Sequence, residues 1–141
     1  MIIEASYQDE DVVFELMNEL EAGSLECEAF ALQYRSCIEN ENVYIYLYKD
    51  DTVKGCITLY LQHYLHHRYV TGEIGELIVK SEYRSQHIGK MLLDHVEMMA
   101  NKLQLEEICL SSGMKRVDAH RFYERNGYIK DHFSFEKKLK P

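Results

Sequence analysis

A chain of 141 residues, 46% of them apolar, is long enough to close one hydrophobic core around a sheet. Its net charge of −8 argues against a nucleic-acid partner, because neutralising phosphates needs a basic face. No apolar run approaches a membrane span and no charged-then-apolar leader opens the chain, so the expectation is a soluble cytoplasmic protein with no membrane partner.

In chain order, "MIIEAS" reads as a short first strand. Asp9 is placed to cap a helix running to about Glu21, with Val12, Val13, Leu16, Met17 and Leu20 at helical spacing. A second helical run follows Gly23, carrying Phe30, Leu32, Tyr34, Cys37 and Ile38. "NVYIYLYKDDTVKGCITLYLQHYL" alternates, is rich in Val, Ile and Tyr, and turns at "KDD", which predicts a hairpin. "YVTGEIGELIVKS" is a further strand whose Gly72 and Gly75 point to a bulge or a close backbone approach. A third helix spans about Ile88 to Lys102, and "EEICLSS" reads as a buried strand. "VDAHRFYERNGY" is a short helix stopped by Asn126-Gly127, and "IKDHFSFEKKL" is a final alternating strand. No repeat, no low-complexity segment and no internal proline divides the chain, so residues 1–141 are expected to be one domain. The order predicts an α/β fold with a mixed sheet and helices on its faces.

Cys27, Cys37, Cys56 and Cys109 show no CxxC pairing and fall in apolar stretches, which predicts reduced core thiols. His63, His66 and His67 are spaced so that two imidazoles could meet, and His63 and His67 would share a strand face. The carboxylate that usually completes a metal set does not accompany them at matched spacing, so no metal is expected. These histidines could instead meet an anionic substrate.

Three stretches bear on chemistry. Arg84-Ser85-Gln86-His87-Ile88-Gly89 is a polar loop running into a helix, where free N–H groups and the dipole could hold a phosphate, with Arg84 and Lys90 adding charge. It reads equally as a plain strand–helix connection. Glu73 and Glu76 stand in an otherwise apolar strand, either as an exposed face or as carboxylates with a task. Tyr123, on the short helix, is either a core-edge aromatic or a proton donor.

Taken in this order, the three stretches resemble the GNAT N-acetyltransferases. That family's Arg/Gln-x-x-Gly-x-Gly/Ala loop is matched by Arg84 to Gly89, with His87 where the first Gly belongs. Its later Ala-x-x-Phe-Tyr-x-x-x-Gly-Phe is matched by Ala119, Phe122, Tyr123, Gly127 and Tyr128, with Arg116 at the place of a common Asn. The resemblance implies a GNAT-like, mostly antiparallel central sheet with helices on both faces. It implies acetyl-CoA as co-substrate, its pyrophosphate on the backbone of Gln86, His87, Ile88, Gly89 and Lys90 next to Arg84 and Ser85, and its pantetheine arm along Leu77, Ile78 and Val79. It also implies an amine deprotonated by Glu73, with Glu76 as the alternative, and a leaving thiolate protonated by Tyr123.

"LYLQHYLHHRYVTGEIGELIV" and "KRVDAHRFYERNGYIKDHFSFEKKL" look further like the aminoalkylphosphonate N-acetyltransferase branch. His66, His67, Arg68, Lys115, Arg116 and His120 lie in these stretches and would suit an anionic group. The implied partner is a small-molecule amine, and a homodimer is open. Acetylation of a polyamine, an aminoglycoside or a protein N-terminus remains an alternative, as does an acyl-CoA-binding regulator without turnover.

Overall fold

Alternating and helical segments fold much as their periodicities require in a computed structural model that describes residues 1–141. The chain forms two compact units, Met1–Cys109 and Leu110–Pro141. In the first, β1 (Ile2–Glu4), α1 (Glu10–Leu20), α2 (Cys27–Glu39), β2 (Val43–Lys49), β3 (Val53–Gln62), β4 (Thr71–Val79) and α3 (Ile88–Lys102) follow one another, and β5 (Ile108–Leu110) runs to the boundary. The strands lie in the order β1-β2-β3-β4-β5. The β1–β2, β2–β3 and β3–β4 pairs are antiparallel. Between β4 and β5, Glu106 N–H donates to Val70 and Gly72 N–H accordingly to Glu107, both at 2.9 Å, so these two strands advance in the same sense.

The sheet is covered on both faces. Residues of β3 alternate between them, so Cys56 looks toward α1 and α2, where it joins Val13, Leu16, Met17, Tyr34, Ile45, Leu47 and Ile78. Gly55 looks the other way, and a Cβ there would lie 3.2 Å from Leu92 and 3.3 Å from Ile88 of α3. Ile88, Leu92, Leu93, Val96 and Ala100 recur at helical spacing and are buried. No helix is long and apolar enough to cross a membrane.

Several expectations need correction. Asp9 is the N-cap residue of α1 as expected, but its carboxylate does not cap that helix: it accepts from Ser6 N–H, while Ser6 accepts from Gln8 N–H, capping a 3-10 turn, Tyr7–Asp9, ahead of α1. Leu32 is solvent-exposed on α2 while Tyr34 is buried. Cys27 and Cys109 are exposed, and only Cys56 is a fully buried thiol. β5 is partly exposed rather than buried.

In the second unit, α4 (Val117–Arg125) ends at Asn126, and Gly127 takes a φ of 90° that only glycine adopts without strain. The final strand is absent. Residues 129–141 have no regular structure, and Ile129, Phe133, Phe135 and Leu139 are exposed. Alternation expresses a readiness to pair, but a strand forms only where a neighbour completes its ladder.

Candidate active site

The centre of β4 is bulged. Ile74 pairs with Leu59 and Leu77 with Ile57, so Gly75 and Glu76 together stand opposite Thr58. Gly75 is needed there because a Cβ would come within 2.3 Å of the Tyr60 ring. The extra residue breaks the period of two, so Glu73, opposite Tyr60, and Ile78, opposite Cys56, share the α1/α2 face.

The two carboxylates of this strand differ in environment. Glu76 is held: its Oε1 accepts from the Thr58 hydroxyl and from Tyr60 Oη at 3.1 Å, and its N–H donates to Thr58 Oγ1 at 2.9 Å. Burial, then the Glu76 charge, pushes the Tyr60 hydroxyl well above its ordinary value, so Tyr60 stays a donor. Burial also raises the Cys37 thiol of α2, partly offset by a hydrogen bond from Tyr60. Glu73 is half-buried and no side chain of the protein hydrogen-bonds its carboxylate. Its charge is felt at Cys109, a residue exposed as a whole whose thiol is partly desolvated: that desolvation raises the thiol first and Glu73 second. Glu73 is thus a carboxylate with free lone pairs beside a fixed one.

Beyond β4 the chain makes the loop to α3. Ser85 and His87 both have a left-handed backbone, with φ of 64° and 65°, between residues of negative φ. His87 is the N-cap of α3 and no side chain caps that end, which leaves the first helical N–H groups as donors. A left-handed residue is where glycine is easiest, which explains the glycine that the GNAT loop pattern carries at this position. Backbone of alternating φ sign turns successive N–H groups into one concavity suited to an anion. Gln86 is exposed, Gly89 is half-buried, and Ile88 is buried beneath them.

The charged residues of this loop are partly spent. Arg84 Nε donates to Val79 O at 3.1 Å and its Nη2 lies 3.5 Å from Glu19 Oε1, so it ties the loop to the end of β4 and to α1. Lys90 pairs with Asp94 at 3.1 Å across one helical turn. The donors left to an anion are therefore mainly backbone. Leu77 and Val79 are half-buried and Ile78 is buried; the two β4–β5 backbone bonds join the far end of β4, at Val70 and Gly72.

His63, His66 and His67 lie in the β3–β4 loop, residues 63–70, rather than on a strand face. The His66 and His67 rings are 4.4 Å apart, and His67 Nδ1 is engaged by Glu106. Sequence reading missed Glu106, Thr58 and Tyr60. Thr58 and Tyr60 were legible only as members of an alternating strand, and nothing in Glu106 set it apart from its neighbour Glu107.

In the second unit Tyr123 is half-buried on α4, its ring 5.3 Å from Phe122 and 5.9 Å from Tyr128. Burial raises its hydroxyl above the ordinary tyrosine value, with Arg116 opposing, so it carries its proton at neutral pH. His120 Nε2 donates to Gly113 O at 2.8 Å, while Lys115 and Arg116 are exposed.

Comparison with known proteins bears on this arrangement. Residues 9–128 match the profile of the Acetyltransferase (GNAT) family. The aminoalkylphosphonate N-acetyltransferase of Salmonella typhimurium is 40% identical over 136 residues, covering 96% of this chain and 88% of that protein. "Uncharacterized N-acetyltransferase YhdJ" of Bacillus subtilis is 30% identical over 125 residues, covering 88% of this chain and 87% of its own. A crystal structure of a transcriptional regulator from Bacillus halodurans shares the fold, with a TM-score of 0.90 at 19% identity over 99% of each chain.

Proposed function

Since the chain belongs to the GNAT family and is an N-acetyltransferase, we propose that it acetylates the primary amine of a small aminoalkylphosphonate, or of a similarly compact amine with an anionic end. The observation that carries this substrate class is the 40% identity to the Salmonella aminoalkylphosphonate N-acetyltransferase, spread over 96% of the chain. Acetyl-CoA, the acyl donor that the family implies, supplies an activated thioester. The uncapped start of α3 fits its pyrophosphate: Gln86, His87, Ile88, Gly89 and Lys90 offer backbone donors on a left-handed turn, next to Arg84 and Ser85. Leu77, Ile78 and Val79 would flank the pantetheine arm as a neighbouring strand does.

An alkyl ammonium with a pKa of about 10.4 attacks only after losing a proton. Glu73 is the base of this reading, directly or through one water, because its carboxylate is free while that of Glu76 is held through Oε1 by Thr58 and Tyr60. Glu76 then serves as a fixed charge that helps hold the ammonium. A backbone N–H near Val79 polarises the acyl carbonyl. Tyr123, assigned from its motif and its retained proton, returns a proton to the leaving thiolate. Arg68 of the β3–β4 loop, with His66 and His67 beside it, would face the phosphonate. On this reading residues 1–141 work as one cytoplasmic acetyltransferase domain, alone or as a homodimer.

Competition between 2-aminoethylphosphonate, ethylamine and spermidine at equal concentration, read by release of free thiol from acetyl-CoA, tests the proposal. Preference for the phosphonate is the expected result. Preference for ethylamine or spermidine removes the substrate class, and thiol release with none of them removes the small-amine reading.

A further inference from the structure

One residue, Glu106, holds the second half of the β3–β4 loop. Glu106, two residues ahead of β5, reaches back across 38 residues of chain, where its Oε1 accepts the Arg68 N–H at 2.9 Å. The same oxygen accepts the Tyr69 N–H at 3.2 Å, and Oε2 engages His67 Nδ1. Its own N–H donates to Val70 O at 2.9 Å, so four consecutive residues, 67 to 70, bond to this one. The rest of the loop is exposed, with Leu65 wholly in solvent. His67 is oriented a second time, its Nε2 lying 3.6 Å from Glu107 Oε1.

Glu106 takes the backbone of Arg68 and leaves the guanidinium alone. Arg68 is exposed and has no carboxylate partner in the chain, although acidic residues outnumber basic ones by 24 to 16. The His66 ring rests 4.4 Å from the His67 ring that Glu106 fixes. The clamp therefore sets the stance of a loop whose Arg68 guanidinium has no carboxylate partner, and the same loop ends at Val70, three residues before Glu73.

We propose that Glu106 is a positioning residue for substrate selection: by fixing the loop it holds His66 and Arg68 where they meet the anionic end of the amine substrate. This rests on the anionic-amine reading above. Loss of the clamp lets the loop sample other conformations, and the cost falls on recognition of the anion rather than on acyl transfer.

The test compares Glu106→Ala and Glu106→Gln with the parent, using 2-aminoethylphosphonate and ethylamine. In Glu106→Ala the KM for 2-aminoethylphosphonate is expected to rise about tenfold, with its kcat, the acetyl-CoA KM and the ethylamine kcat/KM each changed less than about twofold. Glu106→Gln keeps one acceptor for the two N–H groups and is expected to recover part of the loss; it carries the test alone if the alanine variant does not fold, with a KM rise of about threefold. Equal loss on both amines, or an unchanged preference, would overturn the inference while the substrate reading stands. A parent enzyme that prefers ethylamine overturns the substrate reading and this inference together.

Discussion

Thr58 and Glu76 hydrogen-bond each other in both directions: the Glu76 N–H donates to the Thr58 oxygen, and the Thr58 hydroxyl donates back to the Glu76 carboxylate. This reciprocal pair closes the bulge of β4, and Tyr60 locks it by donating to the same carboxylate across Gly75.

Gly75→Ala tests that lock. The new Cβ would stand 2.3 Å from Tyr60 Cε2 and 3.1 Å from Thr58 Oγ1, and the ring cannot move away while it donates to Glu76. We expect a loss of about 1–3 kcal/mol in denaturant unfolding, as for other overpacked sites. Tyr60→Leu should recover much of it in a double-mutant cycle; additive losses would mean that the ring does not oppose the methyl.

Replacing the two carboxylates separates base from scaffold. Glu73→Gln should lower kcat by about 10² or more, with little change in melting temperature. Glu76→Gln should instead cost about 1–3 kcal/mol of stability through its hydroxyl partners, with kcat lowered less than in Glu73→Gln. The reverse pattern would make Glu76 the base.

His87→Gly is expected to stabilise the fold by about 1 kcal/mol, because the left-handed conformation at this position strains any residue with a Cβ. Acetyl-CoA affinity by calorimetry should hold or improve, since the proposed cradle draws on backbone donors. A destabilised variant would show that the imidazole makes a contribution larger than the strain.

Alkali should unfold the protein through its buried phenols. Burial is the first cause that raises Tyr34, Tyr46 and Tyr60, with Tyr46 pushed up to about 12. The unfolded chain releases these protons near pH 10 while the folded chain keeps them, so their contribution is complete below about pH 10 and is lost as pH rises toward 12. Urea midpoints measured from pH 8 upward should be flat at first and then fall; a midpoint insensitive to pH 11 would contradict the burial of these hydroxyls.

Legibility followed the range of the interaction. α1, α3 and the β2–β3 hairpin were readable because a single buried stripe or one turn decides them within a few residues, as Leu92, Leu93 and Val96 show. Leu32 was misread because α2 buries only part of its circumference and the stripe was taken too wide. The last strand failed because Phe133 and Phe135 alternate correctly without a ladder to join. At the site, the α3 loop and Glu73 were visible as residue types in order. What separates Glu73 from Glu76 was not, because it depends on which residues of β3 a bulge sets opposite them. The Glu106 clamp was equally hidden, since its partners lie 37 to 39 residues away.

The bulge also gives this strand one spare residue in the matter of length variation. Removing Gly75 would leave Ile74 opposite Leu59 and Leu77 opposite Ile57, so both flanks would keep their register and their faces. A one-residue deletion in either regular flank of the bulge would instead shift side chains of that flank to the other face of the sheet. What the spare residue provides is the open backbone beneath Tyr60 and the local turn that presents Glu76. A chain shortened there should give an ordinary circular dichroism spectrum and poor turnover. The bulge residue is therefore a requirement of the site's chemistry and not of the sheet's architecture.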